Sequence, residues 1–274
     1  MVGDMGSDNR SRRGPVGARR CRGGWASDLT PTGDTVWEGQ VQGRASDLEH
    51  LVRNFTAPPL LFVRDERDGC RLRSDSFAAC TTPHDVLEDA EQVLSILSGV
   101  LRLTRDSHEG LRVGAVFRRR DDESRDVVLH VQDTLKVRAE LGEPTVTITD
   151  SDGIVRVAAP PRRPLEIARL GLADETVAKA LRLLANATDW VGLYRLYEVM
   201  EEDIGGERKL VRRPWCPAAR LKRFKQSANS PTVAGDTARH GTEPGDPPRD
   251  PMSLDEARAF VHELVEGWFG SKGV

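Results

Sequence analysis

Several chemistries are excluded by what the sequence omits. It holds no Gly-rich phosphate loop, no Gly-x-Ser-x-Gly nucleophile elbow and no His-Glu-x-x-His pair, which demotes nucleotide hydrolases, serine hydrolases and zinc peptidases. Cysteine is scarce. Cys21, Cys70, Cys80 and Cys216 are the four, none in a C-x-x-C pair, so a disulfide framework or a thiolate metal site has no support and a reducing compartment is expected. The longest apolar runs, 60–63 and 93–103, fall short of the ~20 residues that span a bilayer, so no membrane partner is expected. The chain starts without the apolar stretch a secretory signal needs. Arg12-Arg13 resembles a twin-arginine pair, but Gly, Pro, Arg and Cys follow it, so the expected location is cytoplasmic. Neither charge sign dominates either: 40 Lys and Arg stand against 43 Asp and Glu, so any binding to nucleic acid must come from a local patch.

What is present points to an α+β protein with a β-rich N-terminal module and an all-helical C-terminal module. Residues 1–24 carry six Arg against Asp4 and Asp8 and almost nothing apolar, the composition of a disordered basic tail. The α+β module spans 34–158. Its expected elements are a strand over 34–44, a short helix over 47–55 with a Ser46/Glu49 capping box, and a strand at 60–63. A hairpin then turns at Asp68-Gly69 into 70–73. Thr82-Pro83 supplies an N-cap and a proline suited to the first helical turn. The apolar positions Val86, Ala90, Val93, Leu97 and Val100 that follow predict a core helix. Strands at 111–117 and 127–131 are expected around a solvated charged loop, 118–126, and a further hairpin, 146–149 with 154–157, turns at Asp152-Gly153.

Three prolines in residues 159–164 mark the linker. Beyond it the pattern is helical through 165–270. One helix is expected over 174–187, a second after a Thr188 or Asp189 cap that ends at Gly205-Gly206, and a third over 217–229. After a long loop, 229–252, a Ser253/Glu256 capping box opens the last helix.

Chemistry concentrates in two stretches. Residues 208–225 hold Arg208, Lys209, Arg212, Arg213, Arg220, Lys222, Arg223 and Lys225 without one Asp or Glu, interleaved with Trp215 and Phe224. Phosphate-pairing cations beside stacking rings are what a single-stranded nucleic acid favours, and RNA or another polyanion is the candidate partner. The alternative is that both rings are core and the charges solvate a helix. The loop then brings Arg239 beside His240, candidate catalytic residues for phosphodiester chemistry. The imidazole would move a proton near neutral pH and the guanidinium would neutralise charge on phosphorus; a loop His beside a structural Arg is the alternative. A metal site at Asp236, His240 and Glu243 is disfavoured by its mixed ligands on a loop, and no cofactor is expected. Cys216, just before a helix, has no His placed to activate it.

The order of Trp190-Val-Gly-Leu-Tyr-Arg-Leu-Tyr-Glu198, Arg239-His240-Gly241 and the closing helix from Ser253 resembles the HEPN superfamily of helical domains over residues 165–270. That resemblance implies an RNA-directed protein, either a metal-independent ribonuclease or a catalytically inactive relative. Here Arg and His are adjacent, whereas the family places several residues between them. The reading from another class is a non-enzymatic module, in which the aromatic helix 190–200 and the last helix, with Phe260, Trp268 and Phe269, pack in the core or bind a protein partner.

Overall fold

The structure, a computed structural model, describes residues 35–65, 69–120, 125–129, 147–149, 155–157, 162–243 and 245–274. Strand β1 (Thr35–Gln42) leads to helix α1 (Ala45–Asn54), the two-residue strand β2 (Thr56–Ala57), β3 (Leu60–Asp65), β4 (Gly69–Ser74) and a 3-10 turn over Asp75–Ala79. The long helix α2 (Pro83–Arg105) follows, then β5 (Arg112–Arg120) and β6 (Arg125–Leu129). These strands form one antiparallel sheet in the order β2-β3-β4-β1-β5-β6; β7 (Thr147–Thr149) and β8 (Val155–Val157) pair separately. The rest is helical: α3 (Arg163–Ala173), α4 (Glu175–Asn186), α5 (Trp190–Ile204), α6 (Glu207–Leu210), α7 (Ala218–Asn229), α8 (Pro231–Ala234) and α9 (Leu254–Ser271). The α+β class expected from the pattern is the class observed.

Helix α2 is placed by its ends and its breadth of apolar surface. Thr82 and Asp85 form a reciprocal capping box, and Pro83 occupies the first turn, where its missing N–H costs nothing. Val86, Ala90, Val93, Leu94, Leu97, Val100 and Leu101 are all buried, too wide a stripe for one neighbour. One face lies on the sheet, where Gly39 of β1 lets Ala90 approach. The other meets α3 and α4. At Gly99 the approach is backbone to backbone: a Cβ there would stand 2.6 Å from the carbonyl carbon and 2.8 Å from the Cα of Leu181 in α4. Apolar side chains from Val41 through Phe269 consequently form a single contiguous cluster.

Other helix starts follow the same logic. Asp174 accepts from Thr176 N and Val177 N to open α4, Asp189 accepts from Gly192 N at 2.7 Å to open α5, and Ser253 with Glu256 opens α9. The expected box at Ser46/Glu49 does not form, because α1 begins at Ala45 after an Arg44 N-cap that makes no side-chain cap bond, and Glu49 faces Arg64 at 3.5 Å. The charged stretch 118–126 is also less loop than expected. Arg118 pairs with Asp126 and Arg119 with Arg125 across β5 and β6, and the Arg118 guanidinium lies 5.5 Å from the Trp37 ring centre, so a charged residue is accommodated on the strand. Helix α3 begins within the expected linker, at Arg163 and Pro164; residues 159–161, the turns at Asp68 and Asp152-Gly153, and the tail 1–24 lie outside the described residues.

Gly99→Ala separates propensity from packing. Alanine favours a helix over glycine by about 1 kcal/mol, yet its methyl must displace the α4 backbone, so a net loss of about 2–3 kcal/mol is expected by urea denaturation.

Candidate functional site

The cationic stretch is built on a short bridge between two long helices. Helix α5 ends where Gly205 adopts φ 89° and Gly206 φ 101°, conformations that only glycine takes without strain. Helix α6 then turns the chain, with Glu207 N donating to Glu201 Oε1 at 3.1 Å and the Glu207 carboxylate pairing with Lys225 Nζ of α7 at 2.5 Å. Leu210 and Cys216, both fully buried, pin the segment at either side. Burial, and then the Glu207 carboxylate, push the Cys216 thiol up to about 11, so it stays protonated and unreactive at neutral pH.

On either side of Leu210, Arg208, Lys209, Arg212 and Arg213 are exposed, and among the described residues none of them forms an ion pair; Lys222 on α7 is likewise exposed and unpaired. The remaining cations are engaged. Arg220 pairs with Glu263 of α9 at 2.5 Å and covers the Phe260 ring at 4.9 Å. Arg223 reaches Glu256 at 3.2 Å and the carbonyl oxygens of Asp250 and Pro251 at 3.1 and 2.9 Å. Lys225 lies 5.7 Å from the Tyr197 ring centre. Of the two rings in the stretch, Phe224 is core: it stacks on Tyr194 at 5.9 Å and meets Trp190, Tyr197 and Phe260. Trp215 is half-buried. Its indole sits on Gly267 of α9, close enough that a Cβ there would stand 2.7 Å from the indole Cδ1.

The loop after α7 is tied down along its length. Met252 N donates to Ser227 Oγ, Ser230 Oγ and Thr232 N donate to Glu243, and Arg239 N donates to Ala228 O at 2.8 Å. Arg239 turns back onto α5, pairing with Glu198 at 2.8 Å and lying 4.5 Å from the Tyr194 ring centre. Arg239 and Lys225 therefore rest on neighbouring rings of one aromatic cluster, since Tyr194 and Tyr197 are 5.4 Å apart. His240 is exposed, and no described residue is within hydrogen-bond reach to orient it. The acidic end of α5 is also spoken for, with Glu198 on Arg239 and Asp203 accepting from Trp268 Nε1 and pairing with Lys272.

The chain matches no family model, no curated protein and no solved structure.

One polar constellation was not singled out by sequence, because its members are remote in the chain and carry no motif. Asp47 and His50 of α1 meet Arg105 and Ser107 at the far end of α2, and all but Arg105 are buried. The residue types match a hydrolytic triad, but the connections do not. Ser107 Oγ donates to Asp47 at 2.5 Å rather than to the imidazole, and His50 Nδ1 accepts from Arg105 at 3.2 Å. A serine whose proton is donated to the carboxylate lacks the hydroxyl-to-imidazole bond on which the triad mechanism runs. The cluster fastens α1 to α2 instead. Among the described residues no group of three His, Cys, Asp or Glu side chains is arranged to hold a metal ion, and no helix is long and apolar enough to cross a membrane.

Burial, then the Arg105 charge, lower the His50 pKa to about 4 from an ordinary 6.5. The folded state therefore binds fewer protons than the unfolded chain between those values, so stability is full above pH 6.5 and falls as the pH drops toward 4. A loss of about 2–3 kcal/mol across that window is expected, and in His50→Gln the slope of unfolding free energy against pH should be flatter there by most of that amount.

Proposed function

We propose that this protein binds the phosphate backbone of a nucleic acid, RNA foremost, through Arg208, Lys209, Arg212, Arg213 and Lys222. The observation that carries the reading is the sorting of cations: these five are exposed without a carboxylate, while Arg220, Arg223, Lys225 and Arg239 are each neutralised in a specific pair. Four unpaired cations within residues 208–213, on a segment anchored at Leu210 and Cys216, concentrate positive potential where the chain as a whole is slightly acidic. Phosphate contacts of this type bring affinity through release of condensed counterions and need no base-specific geometry.

The proposal is binding without cleavage. Supporting it, the Arg239 guanidinium is held by Glu198 and Tyr194, and to meet phosphorus it would have to leave both. His240 has no orienting partner of the kind a general base needs. In the terms of the HEPN resemblance, this corresponds to a catalytically inactive relative. A protein-binding role for the aromatic helices is less favoured, because Trp190, Tyr194, Tyr197, Phe260, Trp268 and Phe269 are all buried in the core.

Fluorescence anisotropy with a labelled RNA oligonucleotide at rising salt tests the reading. Each neutralised phosphate contributes about −0.7 to the slope of log K against log salt on a single strand, so the five cations predict a slope of about −3.5. The double substitution Arg212→Ala/Arg213→Ala should make it shallower by about 1. Arg223→Ala, which breaks an internal clamp, should leave the slope alone. Absence of binding at low salt, or a slope indifferent to the double substitution, would overturn the proposal. Intact RNA after prolonged incubation with both the wild type and His240→Ala is the expected result for cleavage.

A further inference from the structure

We propose that Trp215 is a base-stacking platform and that the preferred ligand is consequently single-stranded. This rests on the phosphate-binding reading above and specifies its ligand. Trp215 is two residues from Arg213 and partly buried, on the same anchored bridge as Arg208, Lys209, Arg212 and Arg213. Its position is determined from below. The indole lies against Gly267, a residue with no side chain to hold it off. One side of the ring is thus seated on α9 while the remainder stays at the surface.

The other rings of this region cannot serve. Phe224, Tyr194, Tyr197 and Phe260 stack on one another inside the helical core, so Trp215 is the ring that the described part of the bridge presents to a ligand following its cations. Pre-seating lowers the entropy cost of stacking, because the side chain is already held before the base arrives. A base in a duplex has both faces covered by its neighbours, whereas an unpaired base can swing onto the ring without breaking pairs. Any nucleobase has a π-face, so the contact selects for single-strandedness rather than for sequence.

The test compares three ligands on the native protein and on Trp215→Leu and Trp215→Phe: a single-stranded oligouridylate, the same oligonucleotide made abasic, and inorganic polyphosphate of similar charge. Stacking predicts that Trp215→Leu weakens the oligouridylate about tenfold or more, leaves polyphosphate within about twofold, and is largely rescued by Trp215→Phe. Equal effects of Trp215→Leu on all three ligands, or on none, overturn the platform while leaving the cationic surface in place. Failure of the native protein to bind either polyphosphate or RNA removes the underlying reading instead. If Trp215→Leu does not fold, the abasic oligonucleotide decides alone. On the native protein it should bind about tenfold or more weakly than its base-bearing counterpart, and equal affinity rejects the proposal.

Discussion

Everything on the helical side of this protein takes its position from the way α2 is held between a sheet and a helix. Its sheet face brings Ala90 against Gly39 of β1, and its opposite face brings Gly99 against the Leu181 backbone of α4. Such a crossing leaves no slack. Packed interiors respond to even one added methyl group, so the separation between the two helices is set by the missing Cβ rather than by adjustable side chains. Helix α4 in turn packs on α3 and α5, with Gly171 of α3 admitting Leu181 and Ile96. The spacing of α3 and α4 on α2 is thereby referred back to Gly99 and Gly171.

The second constraint is aromatic. Phe224 on α7 is touched by rings from α5 and α9, which joins three helices at a single side chain. Around that cluster the cations divide by where their stems emerge. Arg220, Lys225 and Arg239 each lie over a ring of the cluster and find a carboxylate on another element, whereas 208–213 protrudes beyond it. Exposed ion pairs contribute at most about 1 kcal/mol each, so these clamps orient the loop and α7 more than they stabilise the fold. Their consequence is electrostatic: they remove three positive charges from the region's outward field and leave the bridge as its source.

Legibility from sequence followed the range of the interaction. Caps were readable, since Thr82, Asp189, Ser253 and Gly205 act on backbone groups within a turn of themselves, and so was the apolar stripe of α2. Ser46 misled for an instructive reason. Its spacing to Glu49 satisfies the motif, but the helix starts two residues earlier and Glu49 is drawn to Arg64, a strand residue no local pattern announces. The basic stretch was visible as composition, yet its division into clamped and unclamped members depends on Glu207, Glu256 and Glu263, 18 to 43 residues from the cations they pair with. Asp47, His50 and Ser107 were invisible altogether, because residues separated by some sixty positions along the chain become neighbours only through tertiary packing.

Adjacency in the chain proved the weakest guide to chemistry. Arg239 and His240 are neighbours in sequence, but consecutive side chains in a non-helical segment point away from one another, and here one of them has turned into an aromatic cluster. A catalytic pair needs convergence on a common point, which neighbours along a backbone rarely achieve and residues on facing elements often do. The positive bridge escapes that difficulty because binding a flexible polyanion demands proximity of charge, not a shared focus. Four exposed cations on a segment pinned at Leu210 and Cys216 meet that weaker requirement.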